Sequence, residues 1–370
     1  MPCLDARSVC VSIRLCNGSK LSQDWRNISL TGPIRTLRAL ILECFLSPFV
    51  DPGAREKTMT PFGIRAREMV TANVMMFPKK TSLLLALWMI CTLHISALAE
   101  EPAWPQGWTA PYPAHRIIGP LYNVGFEDLS VFLIETDVGH ILINTGLADS
   151  VEPIRENVES LGLEFEDIRI LLCMQAHFDH AAALSEIKAL TGARLLATPK
   201  DARVLEDGGR SDPHFGDEPW AWFDPVAVDD RITEGDQIDL GEVSLTVHEH
   251  PGHTEGSTSF SLTVEEDGQS FNVLIVNGAS INQGKKMFVD PTYEGVGDDF
   301  KQTLEKQRAL KPDIWVAAHG SQYGLSGKHS PGDPYNPRAF FDPEGYQQMV
   351  GRYSRLFEQQ VVKELKPNID

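Results

Sequence analysis

Beyond residue 100 this 370-residue chain has a single cysteine, Cys173, and one cysteine cannot close an internal disulfide. The other five (Cys3, Cys10, Cys16, Cys44 and Cys91) all precede it. The main body must therefore be held by an apolar core, helped or not by metal, and not by a disulfide framework. Positive charge is also scarce there. Residues 1–99 hold 12 Lys+Arg against 6 Asp+Glu, so the 21 basic and 45 acidic residues that remain leave residues 100–370 at −24. A surface that acidic repels phosphate backbones, which argues against nucleic acid as a partner. With 42% hydrophobic and 23% charged residues, the chain has the composition of a globular protein with one large domain or two small ones.

Long apolar runs are equally rare. The most prominent lies in residues 75–99, where Met-Met-Phe-Pro-Lys-Lys leads into a largely apolar Thr81–Ser96 and then Ala97-Leu98-Ala99. A basic start, a short apolar stretch and an A-x-A ending read as a secretory signal, which directs the protein to the periplasm. Its apolar centre, Leu83–Ile95, is short for the alternative, a membrane anchor, and no small-residue lipobox precedes Cys91. Such a signal is read at an N-terminus, yet 74 residues stand before it. The simplest expectation is a translation start at Met75 or Met76, residues 1–74 being a mis-assigned or disordered leader. The mature protein then begins near Glu100 and is free of the membrane.

From His115 onward, short β-branched and aromatic runs predict strands at Arg116–Ile118, Tyr122–Val124, Leu129–Glu135 and His140–Asn144. Helical spacing follows at Ser150–Leu161, and the apolar run Ile168–Met174, interrupted by Arg169, predicts a strand buried on both faces. Helices are expected at Ala181–Leu190 and Pro199–Glu206, around a strand at Arg194–Ala197. The second half repeats the theme. It has strands at Gln237–Leu240, Val243–His248, Ser257–Val264, Phe271–Val276 and Ile314–Ala317, with helices at Asp298–Leu310 and Glu344–Leu365. Two buried strands, Ile141–Asn144 and Val273–Asn277, each end in Asn and then Gly one or two residues on. Two β-rich halves that each carry helices predict an α/β fold, an αβ/βα sandwich in a single domain spanning 100–370.

Of eleven histidines, those in Gln175-Ala176-His177-Phe178-Asp179-His180 stand out by spacing. In extended chain, alternation sends Gln175, His177 and Asp179 the same way, while His180 opens a helix and projects at another angle. Two imidazoles, a carboxylate and an amide then meet at the end of a buried strand. Zn²⁺ takes N and O ligands of this kind at roughly 2.0–2.2 Å and keeps one position open for water in catalytic sites. Two later segments present histidine at strand ends: His253 in His250-Pro251-Gly252-His253-Thr254-Glu255-Gly256-Ser257, and His319 in Ala317-Ala318-His319-Gly320. The remaining histidines read as packing or surface residues, and among them His214 has the best claim to lie near the site.

This order of motifs resembles the metallo-β-lactamase superfamily over most of residues 112–365. Gln175 departs from the histidine most members carry, and in that it is similar to the glutamine-bearing variants of the third (B3) subclass. His214-Phe215-Gly216-Asp217 and Val276–Asn282 are similar to the same group. The resemblance implies a four-layer metallo-β-lactamase fold, with one zinc held by Asp179, His180 and His319 and a second by Gln175, His177 and His253. Most other activities of the superfamily use a metal-bridging aspartate after a strand in the second half. Here that stretch reads Asn277-Gly278-Ala279-Ser280, with neither a carboxylate nor the cysteine of the other lactamase subclasses. What the resemblance implies is hydrolysis of the β-lactam amide of penicillins, cephalosporins and carbapenems by a metal-bound hydroxide, which Asp179 orients, conferring antibiotic resistance. No S-x-x-K with K-T-G is evident beyond residue 100, which removes the covalent serine route. Ser280, Asn282 and Lys285 are the expected contacts for the substrate carboxylate, with Phe215, Trp104 and Trp108 as apolar walls. A neutral amide oxygen is a weaker zinc donor than imidazole, so the Asp179 site is expected to fill firmly and the Gln175 site partially. The protein is expected to act as a monomer on a small molecule. The alternative is a thioester or lactone hydrolase on the same metals.

Overall fold

Ile141, Leu142 and Ile143 are all fully buried, yet consecutive side chains leave a strand on opposite faces and so serve different cores. Ile141 and Ile143 join one apolar cluster and Leu142 another. The same division separates Ile170 and Leu172 from Leu171, and Leu196 from Leu195. A sheet buried on both faces must be covered on both, and this dictates layers.

The computed structural model describes residues 103–365. The leader and signal expected at 1–99 lie outside the described residues. One sheet has seven strands in sequence order: β1 (His115–Ile118), β2 (Leu121–Asn123), β3 (Phe132–Thr136), β4 (Gly139–Ile143), β5 (Ile168–Leu172), β6 (Arg194–Ala197) and β7 (Asp230–Arg231). Pairing is antiparallel from β1 to β4 and parallel from β4 to β7. The second sheet has five strands, β8 (Gln237–Leu240), β9 (Val243–Glu249), β10 (Thr258–Glu266), β11 (Gln269–Val276) and β12 (Ile314–Ala317). Its strands pair antiparallel except for the parallel edge pair β11–β12.

One apolar cluster lies between the sheets and joins Ile143 and Leu172 to Leu245, Phe260 and Ile275. The outer face of the first sheet is covered by α2 (Val151–Ser160), α4 (Leu184–Thr191) and α5 (Pro199–Asp207) through Ile154, Val158, Ile187 and Leu205. The second sheet is backed by α6 (Val296–Ala309) and α9 (Pro343–Leu365) through Phe300, Leu304, Tyr346 and Val350. Short helices α1 (Gln106–Thr109), α3 (Phe178–Ala181), α7 (Gly320–Tyr323) and α8 (Leu325–Lys328) complete the α-helices of the described residues. This helix–sheet–sheet–helix order is the αβ/βα sandwich that the alternation of elements predicts.

Two local departures from the expected elements bear on function. The apolar run Ile168–Met174 leaves the sheet at Leu172, because the Met174 N–H goes to Asn144 Oδ1 (3.0 Å) and its carbonyl accepts from Thr258 N (2.8 Å) and Asn277 Nδ2 (3.2 Å). The two strand-end asparagines therefore grip one residue between the halves, Asn144 doing so from a left-handed conformation (φ 66°) that its short amide tolerates. The helix expected over Ala181–Leu190 is two pieces, α3 and α4, which meet at Ala182 and Ala183.

His250, at the end of β9, is 2% exposed and hydrogen-bonds Ser259 Oγ at 2.6 Å, and burial pushes its imidazole from the ordinary 6.5 down to about 3. Burial likewise lowers His115 to about 4. Both folded-state values lie below the unfolded one, so the unfolded chain takes up protons first, and stability present above pH 6.5 is lost as pH falls toward 3. Each such group contributes up to about 1.4 kcal/mol per pH unit in that window. Urea denaturation between pH 6.5 and 4.5 is expected to show falling stability, with a shallower slope in His250→Asn; equal slopes in the two proteins would contradict the assignment.

Candidate metal centre

The chain leaves β5 with Met174 gripped on both backbone groups, and the next six residues, Gln175 to His180, are all between 0% and 7% exposed. A buried polar run of this kind needs internal partners. Asp201, on α5 and itself 2% exposed, supplies several of them. Its Oδ2 accepts from Ala176 N and from Thr254 Oγ1, both at 2.9 Å, and its Oδ1 accepts from Gly256 N at 2.9 Å. One carboxylate thus ties the Gln175–His177 stretch to the turn that carries His253. Burial raises the Asp201 carboxyl to about 6 against these hydrogen bonds. His177 is extended (φ −97°, ψ 153°) and begins α3, so the alternation expected along the segment stops there. Asp179 and His180 sit in the first helical turn and belong to a different group from His177.

Asp179, His180 and His319 form that group, with one ligand atom from each lying within 4.8 Å of the others. Asp179 Oδ2 is 3.1 Å from His180 Nε2 and 3.6 Å from His319 Nε2. His319 ends the segment after β12 and starts α7 with extended backbone. Its other nitrogen, Nδ1, is 3.3 Å from Asp128 Oδ2, and Asp128 Oδ1 accepts from Ser321 N at 2.8 Å. That contact places the Nδ1 proton toward Asp128 and leaves the Nε2 lone pair facing Asp179. Burial works against ionisation of Asp179, but the imidazoles of His180, His319 and His177 hold its carboxyl well below the usual range. Burial lowers His180, against the pull of Asp179, whereas Asp128 and Asp179 outweigh burial at His319 and raise it.

His177 and His253 form the second group, with His177 Nδ1 3.1 Å from His253 Nε2. His253 Nδ1 lies 2.8 Å from the Ser280 carbonyl oxygen, an acceptor only, so Nδ1 carries the proton and Nε2 a lone pair. His177 Nε2 lies 3.5 Å from Asp212 Oδ2, which in the matching tautomer leaves the Nδ1 lone pair turned to His253. Two lone pairs aimed at each other across 3.1 Å are repulsive unless a proton or a metal cation lies between them. Burial, followed by His177 and Lys285, pushes His253 well below 6.5, which leaves its Nε2 an acceptor, open to the His177 Nδ1–H of the other tautomer or to a cation. Gly252 takes a backbone (φ 128°) in which a β-carbon would meet the Phe300 ring at 2.9 Å, so only glycine lets the turn deliver His253.

Gln175 Oε1, both nitrogens of His180 and His177 Nε2 are buried without an aligned hydrogen-bond partner in the described residues. Unpartnered buried N and O donors, one carboxylate held ionised and imidazoles with outward-fixed protons match the ligand chemistry of Zn²⁺. The other site residues expected from the sequence fall into different surroundings. Phe215 sets its edge on the His177 ring, with centroids 5.0 Å apart, and its N–H goes to Asp212. It joins an aromatic wall with Phe178, Trp104, Trp108 and Trp220, and Trp108 lies 5.7 Å from the His319 ring. Ser280 turns both its carbonyl and its Oγ (3.0 Å) to His253 Nδ1. Asn282 is half-buried and accepts from Lys285 N through its carbonyl. Lys285 is 3% exposed and its amine donates to the carbonyls of Gly252 (3.3 Å) and His253 (2.8 Å). His214 is held at its N–H by Asp212. Sequence reasoning missed Asp128, Asp201 and Asp212 as supporting carboxylates and Trp220 as part of the wall. A lone aspartate has no spacing signal, and Asp201 lies 25 residues from Ala176 and Asp128 lies 191 from His319.

The profile of the metallo-β-lactamase superfamily matches residues 124–266. Among solved structures, a β-lactamase from Chitinophaga pinensis is 42% identical with a TM-score of 0.69, the match covering 71% of this chain and 99% of that one. A class B3 di-zinc metallo-β-lactamase from an Alaskan soil metagenome is 41% identical with a TM-score of 0.68, again over 71% and 99%. Among curated proteins, a hydroxyacylglutathione hydrolase of Cereibacter sphaeroides is 26% identical over 174 residues. That match covers 47% of this chain, which spans 55% of the relative's length. The fold implies a metal, typically zinc, and the Asp179–His180–His319 group is a candidate place for it. With structural neighbours of the B3 subclass at this identity over nearly their full length, the chain belongs to the metallo-β-lactamase superfamily.

Proposed function

We propose that this protein hydrolyses the amide bond of β-lactams, with zinc held by Asp179, His180 and His319 and a second zinc accommodated by Gln175, His177 and His253. The observation that carries the reading is the end of β11, Asn277-Gly278, which offers no carboxylate between the two groups. Asn277 spends its side chain on Met174, and a β-carbon on Gly278 would already meet Tyr353 at 2.8 Å. Asp179 is the carboxylate of the metal-ligating group in the described residues. The names of the solved neighbours, β-lactamases at 41% and 42% identity, support the same reading.

Zinc, when bound, supplies a Lewis acid that polarises a carbonyl and acidifies water. The chain's own residues do the rest. Asp128 and Asp212 keep protons on the far nitrogens of His319 and His177, so the near nitrogens stay free to ligate. Asp179, ionised at neutral pH, accepts a hydrogen bond from water at its Oδ and orients it toward an entering carbonyl. The wall of Trp104, Phe178, Phe215 and Trp220 presents an apolar flank that excludes water from one side of the site and packs against a substrate side chain.

The curated relative supports a second reading, a thioester hydrolase of the same fold, and the comparisons fit both. Purified protein with added zinc, assayed on nitrocefin and imipenem beside a glutathione thioester, separates them. Turnover of the lactams, lost on chelation and restored by zinc, is the expected result; thioester turnover with intact lactams would overturn the reading. A second measurement addresses the supporting carboxylates. Asp128→Ala frees the His319 ring, so zinc affinity by chelator competition is expected to fall by about 10- to 100-fold with little change in melting temperature. Unchanged affinity would show that His319 needs no such support.

A further inference from the structure

Lys285 has an uncommon position for a lysine. An ammonium 3% exposed is costly unless compensated, and among the described residues it forms no ion pair but donates to the Gly252 and His253 carbonyls. Asp212, Asp201 and Glu255 act on it only from longer range. Nor is it free to swing outward. Its own carbonyl accepts from Gln360 Nε2 at 3.2 Å, and the following amides of Met287 and Phe288 donate to the Glu364 carboxylate at 2.7 to 3.0 Å. The end of α9 thus clamps this loop and holds the amine inward, 5.8 Å from the Tyr293 ring centroid. A lysine so fixed is poorly placed to meet an incoming substrate carboxylate; its neighbour Lys286 is the exposed one of the pair.

The two histidine groups consequently differ in charge. Asp179 lies within the first and Asp128 stands directly behind it, so two carboxylates face any cation there. The second has two imidazoles and no carboxylate among them, with Asp212 behind His177, Asp201 bonded to Ala176 and Thr254, and one ammonium behind His253 (Lys285). We infer that Lys285 is a built-in electrostatic brake on the Gln175–His177–His253 group, its fixed positive charge occupying part of the field that a second metal ion would need. Charge repulsion in a site screened from water acts on a dication twice as strongly as on a proton. Lys285, and not Gln175 alone, then makes the two metal positions unequal. This inference rests on the two-group metal reading above.

The test is zinc stoichiometry, independent of any substrate. Full-length wild type, Lys285→Met, Lys285→Gln and Lys285→Arg are dialysed against buffered free zinc, and bound metal is counted by mass spectrometry to give both stepwise constants. In the two neutral variants the second zinc is expected to bind about tenfold tighter or more, with the first constant unchanged, while Lys285→Arg stays with wild type. Lys285→Gln keeps an N–H donor for the His253 carbonyl, so it carries the test if circular dichroism shows Lys285→Met unfolded. Second-site binding that is unchanged or weaker in the neutral variants overturns the brake and leaves Lys285 a structural tie for the turn. A wild type that fills both positions with equal affinity overturns it as well. A wild type that takes up no zinc overturns the metal reading itself, and the brake with it.

Discussion

The structure is organised around the burial of a polar segment, Gln175 to His180, none of it more than 7% exposed. Burying polar groups is unfavourable unless each finds a partner, and the partners here come from distant parts of the chain. Asn144 and Asn277, at corresponding strand ends of the two halves, hold Met174 on either side of its peptide unit. Asp201 then holds Ala176 together with Thr254 and Gly256. These bonds fix where the segment's side chains start, and the sandwich core fixes the strands that carry the bonding residues. The His180 ring and the Gln175 oxygen are left with no partner in the described residues, and they are groups a metal would satisfy.

Electrostatics gives the two histidine groups different characters although they arise from the same six residues. Behind three of the four candidate imidazoles stands an acceptor that decides which nitrogen keeps its proton: Asp128 for His319, Asp212 for His177 and the Ser280 carbonyl for His253. Carboxylates favour positive charge at the first group, while the inward ammonium of Lys285 opposes it at the second. A body at −24 repels anionic substrates at long range, so attraction must come from charge within the site. With Lys285 directed at backbone, that local attraction falls mainly to the metal and to polar groups at its rim.

Much of this is legible in the amino-acid sequence. Apolar runs at Ile141–Ile143 and Ile168–Leu172, helical spacing over α2, and the glycine and proline boundaries give the layered fold, because burial on both faces leaves few other arrangements. The histidine motifs named the residues that the fold brings together as Asp179–His180–His319 and His177–His253. What alternation could not tell was where extended chain turns into helix. That change falls at His177, and it sends Asp179 to a different group from the one its spacing suggested.

By itself, then, the sequence determined the architecture and the candidate metal-binding residues, since the first follows from local periodicity and the second from donor chemistry carried by the residues themselves. Only the tertiary structure decided where the segment turns from extended chain into helix, the proton-fixing roles of Asp128 and Asp212, the tie made by Asp201 and the inward course of Lys285. Each of these depends on which distant backbone or side chain occupies the adjacent few ångströms. A carboxylate 191 residues from the histidine it orients leaves no trace in spacing, and a lysine reads as solvated until the helix that clamps its loop is in place.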